Sequence, residues 1–150
     1  ANPVLFQFFV FQKLSSAFWA GLSMAHFDEK SCGVRVKLSW FNQNPFRSMY
    51  FAVEAMAAEM SCGMLAFGQV YKRQPAVSML VEKLEAKFVK KATGVIIFTC
   101  EDGEALRDTV NEALTNPAGT KLQVTSIGRN QAGEIVAEFV FTWTFKAKNL

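Results

Sequence analysis

One segment of the chain, residues 50–67, is apolar at almost every position and rich in small residues. Only two charged side chains interrupt it, and both are carboxylates, Glu54 and Glu59. The pattern predicts one long helix over about 48–70, with Ser48 as its N-cap. A helix that is apolar on nearly every side is buried. Each carboxylate on it must therefore be satisfied by a partner or used in chemistry.

The segments on either side of this helix have the pattern of β-strands. Residues 33–40 alternate between apolar and polar side chains, and residues 135–145 carry an apolar or aromatic residue at every second position. A period of two predicts strands with one buried face. A short helix within residues 101–116 is stopped by Asn116-Pro117. The six predicted strands cover residues 23–28, 33–40, 79–89, 93–100, 121–127 and 134–145.

Residues 1–22 predict an extra N-terminal helix, whose apolar positions keep roughly helical spacing from residue 3 onward. A membrane-spanning helix needs about 20 mostly apolar residues. Polar side chains such as Gln7 and Lys13 interrupt this run, and no basic region or cleavage site precedes it. We therefore expect a packed amphipathic helix without stable membrane insertion, with a membrane-associated or targeting segment as the alternative.

The order of these elements predicts the architecture. A helix, two strands, the long helix and four further strands with one helical insert fit an α+β fold. In it, a twisted antiparallel sheet wraps around the central helix, and small helix residues let the sheet approach closely. No repeat, linker or low-complexity tract divides residues 1–150. A single domain of this length can bury a substantial core.

Composition narrows the chemistry. Half of the chain (51%) is hydrophobic and 15 residues are Phe, which suggests an apolar ligand cavity or a large subunit interface. The net charge of +3 is scattered, so we expect no nucleic-acid partner. Three cysteines without a CxxC motif argue against disulfides or zinc and favour the reducing cytoplasm. A single histidine, His26, excludes a multi-histidine metal site within one chain. We expect no cofactor and no metal.

In its element order, and most strongly in residues 44–63, the chain resembles the hotdog-fold acyl-CoA thioesterases. It looks closest to the phenylacetyl-CoA and 4-hydroxybenzoyl-CoA thioesterase type, as a divergent branch of that superfamily. In those enzymes an Asn or Gln lies in the loop before the central helix. A short motif, often His-Gly-Gly, opens the helix, and an Asp or Glu follows about two turns later. The resemblance implies an α+β hotdog fold, thioester hydrolysis and assembly as a homodimer or tetramer.

The motif carries over onto particular residues of this sequence. The resemblance implies that Asn44 is the loop amide, that Tyr50 stands at the histidine position and that Phe51 supplies the backbone N–H of the oxyanion hole. It implies that Glu59 is the catalytic carboxylate. Two positions depart from the pattern, because Phe51-Ala52 replaces the two glycines and Gly63 stands where some members carry a hydroxyl. The residues expected to contact substrate are Tyr50, Arg47, Ala52 and Gly63.

Thioester hydrolysis needs a group that attacks or activates water and a donor for the developing oxyanion. Glu59 could act as nucleophile or general base, and the Phe51 N–H at the helix start could be the donor. Eight residues of helix separate them, a rise of about 12 Å. One carbonyl cannot touch both groups of one chain. If both act, the site pairs Phe51 of one subunit with Glu59 of another.

Each assignment has a structural alternative. Asn44 precedes a proline, so it could simply initiate a turn. Glu59 could be a carboxylate satisfied by backbone amides or by Arg47, or a charge at a polar dimer seam. Glu54 lies about 140° around the helix from Glu59, and we expect it to face elsewhere as a partner-satisfied charge near the helix N-terminus. Tyr50 could be a cavity wall or a hydrogen-bond donor.

The remaining polar residues are less specific. His26 fits an ordinary strand position. Lys90, Lys91 and Arg129 could meet the phosphates of a CoA-like carrier, or could simply be solvated. The functional hypothesis is therefore an acyl-CoA thioesterase, with a non-catalytic acyl or lipid binder as the alternative. A hotdog dehydratase ranks below both, because it needs a catalytic histidine and His26 is remote from the helix in sequence.

Overall fold

A computed structural model describes residues 3–148, so residues 1 and 2 of the predicted N-terminal helix and residues 149–150 of the predicted domain lie outside it. The helices are α1 (Pro3–Lys13), α2 (Ser15–Trp19), α3 (Phe51–Val70) and α4 (Gly103–Ala113). The strands are β1 (Ser23–Phe27), β2 (Cys32–Lys37), β3 (Val77–Phe88), β4 (Val95–Cys100), β5 (Thr120–Asn130) and β6 (Ile135–Ala147).

All six strands form one antiparallel sheet in the order β1-β2-β4-β5-β6-β3. Helix α3 packs against it and contacts β2, β4, β5, β3 and β6. The predicted α+β architecture, a sheet around one long helix, is therefore confirmed. By length and composition, α3 is the one described helix that could cross a membrane. Its apolar character is accounted for by the residues it buries against the sheet.

The core lies between the inner face of β6 and the small residues of α3. The predicted aromatic face of the last strand is confirmed, because Phe139, Phe141 and Phe145 are all at most 2% exposed. Ala57 and Ala58 of the helix are also fully buried. Side chains of this size on the helix let its backbone approach the aromatic layer, which fills the space that larger helix residues would occupy.

Helix α3 begins three residues later than predicted, and Tyr50, not Ser48, is its N-cap. The reason is that the preceding residues are held in an extended loop. The Met49 N–H donates to the Ala92 carbonyl (2.8 Å) and the Tyr50 N–H donates to the Asn42 carbonyl (2.8 Å). The Ser48 hydroxyl bonds the Asn44 side chain instead of a helix amide. The loop thus fixes where the first free amides of the helix stand.

The predicted N-terminal helix is two helices. Leu14 interrupts it with φ −135°, and α2 ends at Trp19, three residues before the predicted end. The bend lets Phe11 of α1 meet Phe18 of α2 edge to face, with ring centroids 5.1 Å apart. This aromatic contact accompanies the break, and the linear pattern of apolar residues does not reveal it.

Strand β3 is a long edge of the sheet that nothing in the described chain covers. From Glu82 to Phe88 every residue is exposed, and Leu84 is 44% exposed. The pairing with β6 shifts register between Val81 and Lys83. At the start of β3, Val77 is buried and Met79 and Val81 are half-buried against the core, but from Glu82 onward neither face is covered within one chain. An exposed edge strand presents unpaired backbone groups that proteins normally cover.

Candidate active site

The loop before α3, the first turn of α3 and the segment after β3 enclose a cavity of about 510 Å³, which we call the helix-start cavity. Its walls are mostly apolar, with a few polar groups at defined points, as in small-molecule sites. The lining residues are Asn44, Pro45, Phe46, Ser48, Met49, Tyr50, Phe51, Glu54, Phe88, Val89, Lys90, Lys91 and Ala92. Asn44, Tyr50 and Phe51, which the sequence predicts as site residues, thus meet at one cavity.

The first amides of α3 stand free at this cavity. Tyr50 makes no side-chain cap bond, and its carbonyl accepts only the amides of Val53 (2.9 Å) and Glu54 (3.4 Å). Within residues 3–148 the Phe51 N–H has no acceptor. An unpaired amide at a helix N-terminus, where the helix dipole is positive, suits a developing negative charge. The Phe51 side chain is 56% exposed beside it.

Asn44 uses its whole side-chain amide inside the loop. Its Oδ1 accepts the Phe46 N–H (2.9 Å) and the Ser48 N–H (3.3 Å). Its Nδ2 donates to the Ser48 hydroxyl (3.0 Å) and to the Met49 carbonyl (3.2 Å). This is the bonding of a turn-forming asparagine. These four hydrogen bonds fix the loop that ends at Tyr50, and the fixed loop forms part of the wall of the helix-start cavity.

Glu54 faces the same cavity one helical turn after Phe51. It is only 4% exposed, and its Oε2 has no hydrogen-bond partner among the described residues. Burial raises the pKa of this carboxyl from 4.5 to about 7. The expectation of a partner-satisfied charge is wrong, and no site role was predicted for Glu54 from the sequence. Its spacing of three from Phe51, which puts both on one helix face, was the available signal.

Glu59 lies at a second, smaller cavity of about 210 Å³, which we call the mid-helix cavity. Burial raises the pKa of the half-buried carboxyl. Gly63, one turn later, makes room for it, because a Cβ there would stand 2.8 Å from Glu59 Oε1 and 3.5 Å from the Trp143 ring. The lining residues are Phe9, Lys13, Leu14, Glu59, Met60, Gly63, Met64, Phe67 and Met79. Within one chain, Glu59 and Phe51 therefore belong to different cavities.

The other residues expected to contact substrate do not lie together at one cavity. Tyr50 lines the helix-start cavity and Gly63 lines the mid-helix cavity. Arg47 is exposed in the loop with φ 59° and lines neither cavity. Ala52 is half-buried and likewise lines neither.

Basic residues meet the helix-start cavity on the side of β3. Lys90 and Lys91 both line it, and Lys90 forms an ion pair with Glu134. Arg129 instead donates to the Gly133 carbonyl across a turn (2.9 Å). His26 is an exposed residue of β1. No cluster of three potential metal ligands occurs among residues 3–148, and the three cysteines are free and buried.

A family model described as a domain of unknown function, DUF4442, matches residues 4–145. This chain belongs to the DUF4442 family. No curated protein matches it.

Solved structures match the chain over most of its length. A Pseudomonas aeruginosa protein described as a probable thioesterase has a TM-score of 0.81 at 19% identity, covering 97% of both chains. A Haemophilus influenzae thioesterase has a TM-score of 0.70 at 9% identity, covering 98% of this chain and 92% of that one. A Staphylococcus aureus thioesterase has a TM-score of 0.66 at 12% identity, covering 85% and 94%.

At these identities the likeness shows the fold. This DUF4442 member has the hotdog fold, and its structural neighbours include thioesterases of that fold. The hotdog fold implied by the resemblance in residues 44–63 is therefore confirmed. The roles of individual residues stay predictions.

Proposed function

We propose that this DUF4442 protein is a thioester hydrolase that acts on an acyl-CoA at a site shared between two subunits. The observation that carries the proposal is the unpaired Phe51 N–H at the wall of an apolar cavity. The proposed catalytic carboxylate is Glu59, as nucleophile or general base. Because Glu59 lines the other cavity, it comes from the second subunit.

The exposed edge of β3 supports a shared site. Met79 near the start of β3 lines the mid-helix cavity, and Phe88 at its end lines the helix-start cavity. If two copies pair their β3 strands antiparallel about a two-fold axis, the start of one strand lies beside the end of the other. The pairing would bring Glu59 of one subunit toward Phe51 of its partner and would cover the exposed edge.

A spacing in one structural neighbour also supports Glu59. Structures of the Staphylococcus aureus protein carry an alanine in place of a glutamine or of a glutamate, at positions fifteen residues apart. Asn44 and Glu59 have the same separation in this chain. We propose that Asn44, held in its turn, sets the position of the loop and of the bound thioester.

In the proposed reaction, the carbonyl oxygen of the thioester accepts the Phe51 N–H. Glu59 either attacks the carbonyl carbon itself or takes a proton from the attacking water. If water attacks, Glu59 returns that proton to the thiolate as the C–S bond breaks, which releases the acid and the thiol. If Glu59 attacks, the thiolate leaves and takes a proton from solvent, and water then hydrolyses the acyl–Glu59 anhydride to release the acid. The Phe-rich cavity wall favours an aromatic or a medium to long acyl group. Lys91 at the cavity is the best-placed cation for a carrier phosphate.

A non-catalytic acyl binder is the second candidate. The exposed Phe51 side chain stands where the family pattern has glycine, so it narrows the approach to the amide. For either function, the three free cysteines fit a reducing compartment. We therefore propose that the protein is cytoplasmic.

Measuring thiol release from acetyl-, hexanoyl-, palmitoyl-, phenylacetyl- and benzoyl-CoA tests the proposal. We expect hydrolysis of at least one substrate by the wild type and a loss of about 100-fold or more in Glu59→Ala, since an essential acid–base group contributes at least that much. Glu112→Ala, which removes an exposed glutamate of α4, is the matched control. Equal background rates for wild type and Glu59→Ala on every substrate would reject hydrolysis, and binding without turnover would favour the acyl binder.

Light scattering tests the shared site. We expect the wild type to be a dimer or tetramer and Leu84→Lys to be a monomer with lower activity, because a charge in the middle of β3 opposes edge pairing. Asn111→Lys adds the same charge on α4, away from β3, and should leave the assembly unchanged. A monomeric, fully active wild type would exclude a site that needs both subunits.

A further inference from the structure

Glu54 is a buried carboxyl group with an oxygen that bonds to none of the described residues. A carboxyl group that is removed from water normally has a hydrogen-bond partner, because its desolvation is costly. Glu54 is 4% exposed, its Oε2 is unpartnered among the described residues, and it lines the helix-start cavity. The proposed reaction gives it no role.

The position of Glu54 on α3 brings its carboxyl toward the free amide of Phe51. Residues three apart share a helix face, and side chains in a helix lean back over the preceding turn toward the N-terminus. The turn before Glu54 is the one that begins at Phe51. Both groups line one cavity of one chain, whereas Glu59 lies at the other.

We propose that Glu54 in its neutral form is the second donor of the oxyanion hole, beside the Phe51 N–H of the same chain. Its carboxyl O–H donates a hydrogen bond to the thioester oxygen, which gains negative charge as the carbonyl carbon is attacked. No proton leaves Glu54. This inference rests on the proposed hydrolysis and adds to that site a residue that touches the reacting oxygen.

The surroundings of Glu54 favour the neutral form that this role requires. Burial is the cause of the raised pKa, so the carboxyl still holds its proton for much of the time at neutral pH. The titratable side chains that share the cavity wall are Tyr50, Lys90 and Lys91, and Lys90 is paired with Glu134. A protonated carboxylic acid that donates to an oxyanion is an established catalytic device.

Two substitutions separate a donor from a base or a nucleophile. In Glu54→Gln the side-chain amide keeps an N–H donor of similar shape, whereas Glu54→Ala keeps none. We expect Glu54→Ala to lower kcat about 100-fold with little change in KM, as for loss of one oxyanion donor. Glu54→Gln should stay within about threefold of wild type, because its amide can replace the carboxyl O–H.

The pH profile gives a second readout. Activity that depends on the Glu54 proton falls as pH rises through about 7 in the wild type. Glu54→Gln should lack this decline, because its donor does not titrate, while Tyr50→Phe should retain it. Thermal melts of both Glu54 variants, with Glu112→Gln as control, verify folding. If Glu54→Gln loses as much activity as Glu54→Ala, or if Glu54→Ala is as active as wild type, the donor role is wrong.

A non-hydrolysable ketone analogue, with a methylene in place of the thioester sulfur of hexanoyl-CoA, tests the donor without turnover. We expect the carbonyl stretch of the bound analogue to lie at lower frequency in wild type and Glu54→Gln than in Glu54→Ala. If wild type hydrolyses nothing but shows this difference, the proposed hydrolysis fails and the donor stands. An unchanged frequency in Glu54→Ala overturns the donor even if hydrolysis is observed, and an analogue that does not bind the wild type overturns both.

Discussion

Replacing Glu54 by Gln should make the folded protein more stable at alkaline pH and leave its stability almost unchanged at acidic pH. The glutamine has the same shape but no charge. Burial raises the pKa of Glu54 from 4.5 to about 7 in the folded protein. Below about pH 4.5 both the folded and the unfolded chain hold the proton, so the stability that this group contributes is fully present. It is lost as pH rises through 7, because only the unfolded chain releases the proton easily.

The size of this effect follows from the change in pKa. A move from 4.5 to about 7 is worth at most about 3 kcal/mol at high pH. Because the cavity opens to water, we expect Glu54→Gln to exceed the wild type by about 1–2 kcal/mol at pH 8.5. Hydrogen bonds lower the pKa values of Asp28 and Glu134, so these two groups make the folded protein less stable as pH falls. Their effect is the same in the wild type and in Glu54→Gln and therefore cancels in the comparison.

Urea denaturation of both proteins between pH 4 and pH 8.5 measures the difference in the free energy of unfolding. The difference should grow from near zero at about pH 4 to its full value by about pH 8. A difference that does not change with pH would mean that folding leaves the pKa of Glu54 unchanged, and a variant less stable than wild type at pH 8.5 would mean that the fold stabilises its ionised form. The reasoning about its neutral form would then be refuted.

Three further substitutions test close packing, one at the proposed site and two elsewhere in the structure. Gly63→Ala should move the Glu59 carboxylate, because its Oε1 would stand 2.8 Å from the new methyl group. We expect kcat to fall by up to about 100-fold while the thermal midpoint changes little. An unchanged kcat would contradict this prediction. Gly103→Ala should cost about 1–3 kcal/mol in urea unfolding, because its Cβ would overlap a backbone carbonyl of the β1–β2 turn. Ser61→Ala should cost about 1–3 kcal/mol, because the Ser126 hydroxyl loses its 2.7 Å partner, and the double alanine variant should recover part of that loss.

The sequence alone determined the architecture. Period-two alternation indicated β2 and β6, and the aromatic residues at every second position of β6 identified the inner face of the sheet. The small residues of α3 indicated that the sheet packs closely against this helix. These features can be recognised in the sequence because buried positions recur every second residue in a strand and about every 3.6 residues in a helix, and apolar residues follow the same period. The resemblance in residues 44–63 added the expectation of a hotdog fold, which the structure confirms.

The exact helix ends required the tertiary structure. Ser48 has the chemistry of an N-cap, but hydrogen bonds from the Met49 N–H to the Ala92 carbonyl and from the Tyr50 N–H to the Asn42 carbonyl hold these two residues outside the helix. The N-terminal helix breaks at Leu14, where the rings of Phe11 and Phe18 meet across the bend. Local propensity is a weak preference, and contacts between distant residues override it.

The composition of the candidate site was decided by the tertiary structure as well. The sequence separated Glu54 from Glu59 by their angle around the helix, and the structure does place them at different cavities. It could not show that Glu54 has no partner, because that depends on which side chains the loop and the end of β3 bring to the first turn. Burial and hydrogen bonding are properties of the assembled cavity, whereas the sequence specifies only which face of the helix each carboxylate occupies.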